Sequence, residues 1–379
     1  SVPGLATAEN SMENEHLRVT VEANGTLTVL DKRSGESYRR LLTFEDCADI
    51  GDGWYHGEAV NDQVYVSTAS AAAVALVHNG PQVATFRVRT TMAVPAELHF
   101  DDRMSRSAEL VNLVIDSLVT LRAGVDRVEV ETTVHNVALD HRLRVLFPSG
   151  ATADTYLSDT PFDVVERPIP LDPDNHLFRE LEVETKPQMS WTAVYGGGRG
   201  LAVVSTGLLE SAVRDQQERT LALTLMRSTR TTVFTNGEPN GQLLGEWTFR
   251  YWLVPLASEP DRVQLSRLGQ QVAAGLRNVQ LRHEDLPLLR QEGSLSPSGS
   301  LLEVSGSAVV TSTRWVDGAL EVRMFNPTPA AGAAKLRFGP GLNFAEMQGV
   351  DSESNPVDTR QSITGEASVV LAAKQIKTL

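Results

Sequence analysis

Hydrophobic and polar residues alternate along several stretches of the chain, most clearly at positions 111–115 and 128–134. A third run, Arg142–Phe147, repeats the alternation. A period of two places every second side chain on the same face of a strand, and β-branched residues between short polar breaks favour antiparallel pairing. We therefore expect a meander of three long strands in the middle of a large sheet, each with one buried and one solvated face.

The same alternation recurs before and after this meander. Residues 17–21 and 26–30 flank an Asn24-Gly25 turn, which predicts a β-hairpin. Further strand-like runs lie at 64–77, 83–94, 190–195, 201–206, 221–226, 247–253, 308–314, 320–326, 334–338 and 368–372. Between them, residues 148–187 show only weak periodicity, and a loop of that length is usually functional or mobile.

One segment has the period of a helix instead. Leu265, Leu268, Val272 and Leu276 recur at three- and four-residue steps. Ser258 suits the cap and proline at position 260 suits the first turn, so we expect one amphipathic helix that ends near position 278.

These elements predict an all-β protein of more than one domain, because a chain of 379 residues is too long for a single compact core. We expect a large β-sandwich over residues 1–257 and a helical connector over 258–292. A small C-terminal β-sandwich over 293–379 follows from short strands separated by Gly/Pro turns.

Charge narrows the choice of partners. Lys and Arg number 34 against 48 acidic residues, which gives a net charge of −14. Such a field repels phosphate backbones and anionic lipids, so we expect neither a nucleic acid nor a membrane as a partner. The single Cys47 and the absence of a signal-like N-terminus favour the cytoplasm. The chain begins without Met, so we expect a processed product or a part excised from a longer protein.

Metal and nucleophile motifs are weak. The eight histidines are scattered, and His135 and His141, which bracket a turn, are better explained as satisfied loop residues than as ligands. We expect no bound transition metal. No Gly-x-Ser-x-Gly elbow is present, and acidic neighbours should raise the pKa of Cys47 and make it a poor nucleophile.

The most suggestive chemistry lies in a loop rich in glycine and acidic residues. Asp49 and Asp52 are close in sequence to Trp54 and Tyr55, and an aromatic floor with polar rims is typical of sugar sites. On the residues alone, an acidic surface turn packed over aromatic side chains is the better interpretation. Arg227, which closes the apolar run 221–226, has two equally weighted roles: orienting a ligand or forming a salt bridge at the sheet rim.

Several segments together resemble a known family. They are Asp49–Tyr55, Asn79–Pro81, Asn136–Arg144, Gly200–Val204, Gly207–Glu210, Leu221–Arg227, Asn326-Pro327 and Lys374–Leu379. In this order they resemble the C-terminal half of bacterial α-mannosidases of glycoside hydrolase family 38, which break down α-mannosidic bonds in glycans. The resemblance implies a galactose-mutarotase-like β super-sandwich followed by a small β-domain.

The resemblance also implies where the chemistry occurs. In that family, hydrolysis retains configuration at a zinc site with a carboxylate nucleophile, and both belong to an N-terminal barrel and helix bundle. Neither is in this sequence, so we expect no catalytic residue and no zinc ligand here, and an inactive chain by itself. The implied partners are that barrel and a mannose-containing glycan, and self-association through the uncovered face is a further expectation.

By motif, the family's cleft-lining tyrosine and arginine correspond to Tyr55 and Arg227. Trp54 is the alternative aromatic match, and Asp52 completes the candidate substrate-binding set. Two hypotheses stay open: the non-catalytic β region of an α-mannosidase, and a stand-alone carbohydrate-binding or mutarotase-like module. A purely structural, adhesin-like role is disfavoured by the aromatic and acidic loop at 49–56.

Overall fold

The computed structural model describes residues 3–232, 239–280, 282, 284, 298–339 and 341–379. Within these residues the regular structure is almost entirely β-strand, with one α-helix and three short 3-10 turns, which confirms the all-β fold class. The chain divides into two compact units, Ser1–Asp159 with Glu166–Pro260, and Thr160–Val165 with Asp261–Leu379.

Thirty strands are described. Before the helix they are β1 (Ala6–Ala8), β2 (Ser11–Glu13), β3 (Leu17–Val21), β4 (Leu27–Asp31), β5 (Ser37–Leu41), β6 (Thr43–Ala48), β7 (Tyr65–Val66), β8 (Ala72–Asn79), β9 (Val83–Pro95), β10 (Leu98–His99), β11 (Ser105–Arg106), β12 (Leu110–Arg122), β13 (Val128–Asn136), β14 (His141–Pro148), β15 (Thr155–Thr160), β16 (Asp163–Pro168), β17 (Lys186–Pro187), β18 (Trp191–Gly196), β19 (Arg199–Thr206), β20 (Glu210–Val213), β21 (Thr220–Ser228) and β22 (Gly245–Leu256). After helix α1 (Arg262–Ala274) come β23 (Leu302–Gly306), β24 (Val309–Val316), β25 (Ala319–Phe325), β26 (Gly332–Phe338), β27 (Glu346–Met347), β28 (Gln361–Ser362), β29 (Glu366–Leu371) and β30 (Ile376–Thr378). The 3-10 turns are Ser67–Ala69, Asn175–Leu177 and Pro239–Gln242.

Two large antiparallel sheets form the first unit. One has nine strands in the order β16-β15-β18-β19-β22-β13-β12-β9-β8, and the other has six in the order β17-β20-β21-β14-β6-β7. The predicted hairpin of β3 and β4 belongs to a smaller sheet of β1 to β5. The longest pairing runs along all 13 residues of β12 against β9.

The main core of this unit is a large cluster to which all three sheets contribute. Phe86, Ile115 and Val130 come from the nine-stranded sheet, and Leu143 and Phe147 come from the six-stranded one. Full burial of each such side chain contributes roughly 1.5–3 kcal/mol, so the facing apolar rows hold the two sheets together.

The predicted meander of three strands is correct for two strands and wrong for the third. β12 and β13 are neighbours in the nine-stranded sheet, but β14 lies between β6 and β21 in the six-stranded sheet. The chain turns between them at Asp140, whose φ is +54°. The expected wet face of β14 is also wrong, because Arg142 and Arg144 are only 4% and 5% exposed.

The weakly periodic stretch also contains more structure than expected, since β15 to β17 fall within it. In the second unit, two three-stranded sheets, β23-β26-β29 and β24-β25-β30, enclose a separate core that includes Met324, Leu336 and Leu371. The helix of this unit is capped by the side chain of Asp261, which accepts hydrogen bonds from the amides of Val263 and Gln264. Among the described residues, no helix has both the length and the apolar character needed to cross a bilayer.

Core packing predicts a clear difference between two leucines. We expect Leu143→Ala to destabilise the protein by about 2–5 kcal/mol, because Leu143 is 0% exposed and its truncation leaves a cavity. Leu110→Ala is the matched control: Leu110 is 52% exposed, and the change should stay within about 0.5 kcal/mol. Denaturant unfolding of both variants measures the difference, and equal losses would contradict this packing.

Candidate functional site

The loop that was singled out in the sequence lies at one end of the six-stranded sheet. It begins where β6 ends, and Arg227 lies near the end of β21. Residues of β6, β14 and β21 face one another in the row Cys47, Arg142 and Arg227. This register brings the start of the loop and Arg227 together, although they are far apart in sequence.

Asp49 is the residue around which the loop folds. Its buried carboxylate accepts hydrogen bonds through Oδ1 from the amides of Gly51 (2.9 Å) and Gly57 (3.1 Å). A Cβ atom at Gly51 would lie 2.0 Å from the carbonyl oxygen of Tyr55, so only glycine fits there. The loop is therefore a tight structure closed around one charge, and the interpretation as a simple acidic surface turn does not describe Asp49.

The second oxygen of Asp49 binds a cation. Arg227 Nε donates to Asp49 Oδ2 at 2.7 Å, and His56 Nδ1 lies 3.3 Å from the same oxygen. Burial by itself would raise the pKa of Asp49, but the His56 and Arg227 contacts outweigh it and lower that pKa to about 2. Asp49 is therefore ionised throughout the physiological range.

Arg227 uses most of its hydrogen-bond donors in contacts with the loop. Nη2 donates to the carbonyl oxygen of Asp52 at 2.8 Å and also to that of Tyr55, and Nη1 lies 3.5 Å from Glu210 Oε1. The sequence left two roles open for Arg227, a ligand contact or a salt bridge, and the structure shows a salt bridge with Asp49. It is, however, a buried pair and not the solvated one expected at a sheet rim, since the Arg227 side chain is only 11% exposed.

The structure brings all four candidate substrate-binding residues together: three lie in this loop, and Arg227 is hydrogen-bonded to it. Asp52 Oδ1 accepts from the amides of Trp54 (2.8 Å) and Tyr55 (3.3 Å), which forms a local turn. The Trp54 and Tyr55 side chains are 66% and 59% exposed. The loop thus presents two adjacent aromatic rings to solvent from a backbone that Asp49 and Arg227 hold in place.

Sequence reasoning missed a group of buried charges on the outer face of the six-stranded sheet, the face turned away from the core. Glu45 Oε1 accepts from Arg144 Nη2 (2.7 Å) and from Arg214 Nη2 (2.5 Å). Arg142 lies on the same face. The signal was the pair of arginines at alternate positions of β14, which the alternation had assigned to a solvated face.

The histidines of the predicted turn do not converge. His141 is buried, with Nδ1 2.5 Å from Asp46 Oδ2 and Nε2 3.0 Å from Asn136 Oδ1, whereas His135 is exposed. In the described part of the chain, no three His, Cys, Asp or Glu side chains are grouped as metal ligands. The pKa of Cys47 is raised as expected, but its main cause is burial, and the expected acidic surroundings are offset by Arg142 and Arg144.

The low pKa of Asp49 makes stability depend on pH. A carboxylate whose pKa is about 2 when folded and 3.8 when unfolded contributes about 2 kcal/mol above pH 4, and this is lost as pH falls from 4 to 2. We expect Asp49→Asn to be less stable at pH 6 and to lose less stability between pH 4 and 2. Denaturant unfolding across this range tests it, with the exposed Asp154→Asn as control. Parallel pH profiles for Asp49→Asn and the unsubstituted chain would contradict the assignment.

Comparison with known proteins gives a consistent result. A protein of Halalkalibacterium halodurans, to which mannosylglycerate hydrolase activity is ascribed, is 28% identical over 353 residues, which cover 84% of this chain and 36% of that protein. An α-mannosidase from Enterococcus faecalis V583 superposes with a TM-score of 0.85 at 26% identity, over 99% of this chain and 42% of that one. A family 38 glycosyl hydrolase from Enterococcus faecalis gives 0.82 at 26% identity, over 99% and 44%.

The present chain thus spans between a third and a half of the length of each of these proteins. The sequence profile described as glycosyl hydrolases family 38 C-terminal domain matches residues 12–232, which are more than half of the chain. This match confirms the resemblance that was seen in the motifs. The chain belongs to the C-terminal domain family of the family 38 glycosyl hydrolases.

Proposed function

We propose that this chain is the non-catalytic β region of a retaining, zinc-dependent α-mannosidase, and that it completes the sugar-binding cleft of a catalytic barrel in a longer protein. The observation that carries the proposal is the exposed pair Trp54 and Tyr55 on a loop fixed by a buried ion pair. Aromatic rings that solvent can reach, on a rigid backbone beside a few polar groups, are what a sugar site requires.

Each candidate residue has a distinct role in this proposal. Trp54 and Tyr55 offer aromatic faces and a phenol hydroxyl to the sugar. Asp52 holds the turn that presents them, because its carboxylate accepts from both of their amides. Arg227 is a positioning residue, since its hydrogen bonds to Asp49, Asp52 and Tyr55 leave it few free donors.

The support for a covering barrel comes from exposed apolar side chains. They lie in β7 and in the segments that lead into β7 and β17, the two opposite edge strands of the six-stranded sheet: Val60, Val64, Val66, Leu171, Leu177, Phe178, Leu181 and Val183. Soluble proteins seldom leave large apolar patches in contact with water, and such patches mark interaction sites. We assign these two edges of the sheet to contacts with the barrel, with self-association of the chain as the outcome when the barrel is absent.

We place the zinc ion and the carboxylate nucleophile of the reaction in that barrel, because the described residues offer no ligand set for zinc. The substrates we propose are α-mannosides. The likeness to a protein ascribed mannosylglycerate hydrolase activity adds mannosides with a small acidic aglycone to this class.

This division of labour predicts that activity depends on the longer protein. We expect the 379-residue chain to leave an aryl α-mannoside intact with or without added zinc, and the longer protein to hydrolyse it. Release of the aryl group, followed by absorbance, measures both. Zinc-dependent turnover by the pure 379-residue chain would refute the proposal, and so would an inactive longer protein with bound zinc.

The two aromatic side chains should matter for activity and not for folding. In the longer protein, we expect Trp54→Ala and Tyr55→Ala each to lower kcat/KM about tenfold, since losing about 1.4 kcal/mol of binding energy has that effect. Their melting temperatures should stay close to that of the unsubstituted protein because both side chains are mostly exposed. Trp315→Ala, which alters an exposed tryptophan of the second unit, is the control. Equal activity in all three variants would contradict the assignment of the loop to the sugar-binding cleft.

A further inference from the structure

Arg142 is a buried cation that has no buried anion beside it. It lies on the outer face of β14 and is 4% exposed. Within the described ranges, no carboxylate lies within 4 Å of its guanidinium, and Nη1 lies 3.4 Å from Thr185 Oγ1. The Nε atom is buried without a hydrogen-bond partner. A buried guanidinium without a counter-charge is costly, so proteins rarely leave one unpaired.

The neighbours of Arg142 cannot provide that counter-charge as they stand. Glu45 is shared by Arg144 and Arg214, which also lie within 4 Å of Glu184. Asp49 and one oxygen of Glu210 contact Arg227. The Cys47 thiol faces Arg142 across β6 and β14, but burial raises its pKa and keeps it neutral. The arginines around Arg142 are therefore matched with carboxylates, and Arg142 is not.

Two further buried polar atoms on the same face lack partners. They are Thr224 Oγ1 and Glu210 Oε2. Thr224 lies opposite Arg144 across β14 and β21, and Glu210 lies on β20, the next strand. Buried polar atoms are nearly always hydrogen-bonded, so these two donors and one acceptor on one face are available to a bound group.

We propose that this face holds a binding site for a small hydroxycarboxylate, with Arg142 as its anion-binding residue. The carboxylate accepts from Arg142 Nε–H and from the hydroxyl of Thr224, and a hydroxyl group of the ligand donates to Glu210. Arg142 lies directly opposite Arg227, so the site adjoins the loop with the two aromatic rings. The inference rests on the proposed function in one respect, because only the proposed function identifies the ligand as the acidic aglycone of a mannoside.

The 379-residue chain itself provides the test, because no catalysis is needed to detect an anion. We expect D-glycerate to raise its melting temperature in a saturable way. Glycerol at the same concentration and sodium chloride at the same ionic strength should produce no saturable rise. Arg142→Met should weaken glycerate binding at least tenfold, the size of one charge-assisted hydrogen bond. Arg250→Met, which alters an exposed arginine that pairs with Glu131, should leave the glycerate affinity unchanged.

The stability of ligand-free variants is a second readout. Replacing the unpaired Arg142 with Met should raise the melting temperature by roughly 2–4 °C, whereas Arg144→Met, which strips Glu45 of a partner, should lower it. An Arg142→Met chain that is less stable than the unsubstituted one and binds glycerate normally would overturn the proposal. So would the absence of any glycerate effect on the unsubstituted chain.

Comparison with acetate separates two sources of the carboxylate. Glycerate binding tighter than acetate binding, with the difference abolished by Glu210→Gln, identifies a hydroxyl-bearing ligand and supports the proposal. Equal binding of the two means that the site recognises the carboxylate alone and not a hydroxyl group, which overturns the substrate assignment. Glycerate binding by a chain whose longer protein hydrolyses no mannoside would uphold this site and refute the proposed function alone.

Discussion

The buried ion pair of Asp49 and Arg227 is the interaction on which the candidate site depends. One carboxylate closes the loop through two glycine amides and joins it to β21 through a guanidinium. Breaking a buried pair on one side leaves an uncompensated charge and typically costs 3–5 kcal/mol. This explains why a loop with little regular structure can hold two exposed aromatic rings in a fixed place, since its order comes from a charge beneath them.

The outer face of the six-stranded sheet also contains buried charges, and more of them than the loop. A sheet of a sandwich usually packs one face on the core and turns the other to water. Here both faces of β14 are buried, with an apolar inner row and an outer row that contains Arg142 and Arg144. Arg144 is matched there by the buried carboxylate of Glu45, whereas Arg142 has no carboxylate within 4 Å among the described residues.

The sequence predicted the elements better than their assembly. Alternation located most strands, the hairpin of β3 and β4 and the single helix, because period and turn residues are local signals. It placed β14 in the wrong sheet, because the choice of neighbours depends on contacts with β6 and β21, which are distant along the chain. The candidate residues Asp52, Trp54, Tyr55 and Arg227 came from motifs. The fixing role of Asp49 and the unpaired state of Arg142 need coordinates, since burial and partners cannot be read from residue types.

The placement of β14 has a consequence for how the protein folds. Asp49 and Arg227 are 178 residues apart in sequence, whereas β12 pairs on both sides with strands that are close by, β9 and β13. Contacts between distant segments carry a large entropic cost of closure and form slowly, so the local strands should assemble first and the six-stranded sheet should follow. The aromatic loop then becomes ordered only when β21 reaches β14. A chain that stalls before this step, or a nascent chain that has not yet emerged past β21, would have much of its secondary structure and none of the surface formed by Trp54 and Tyr55.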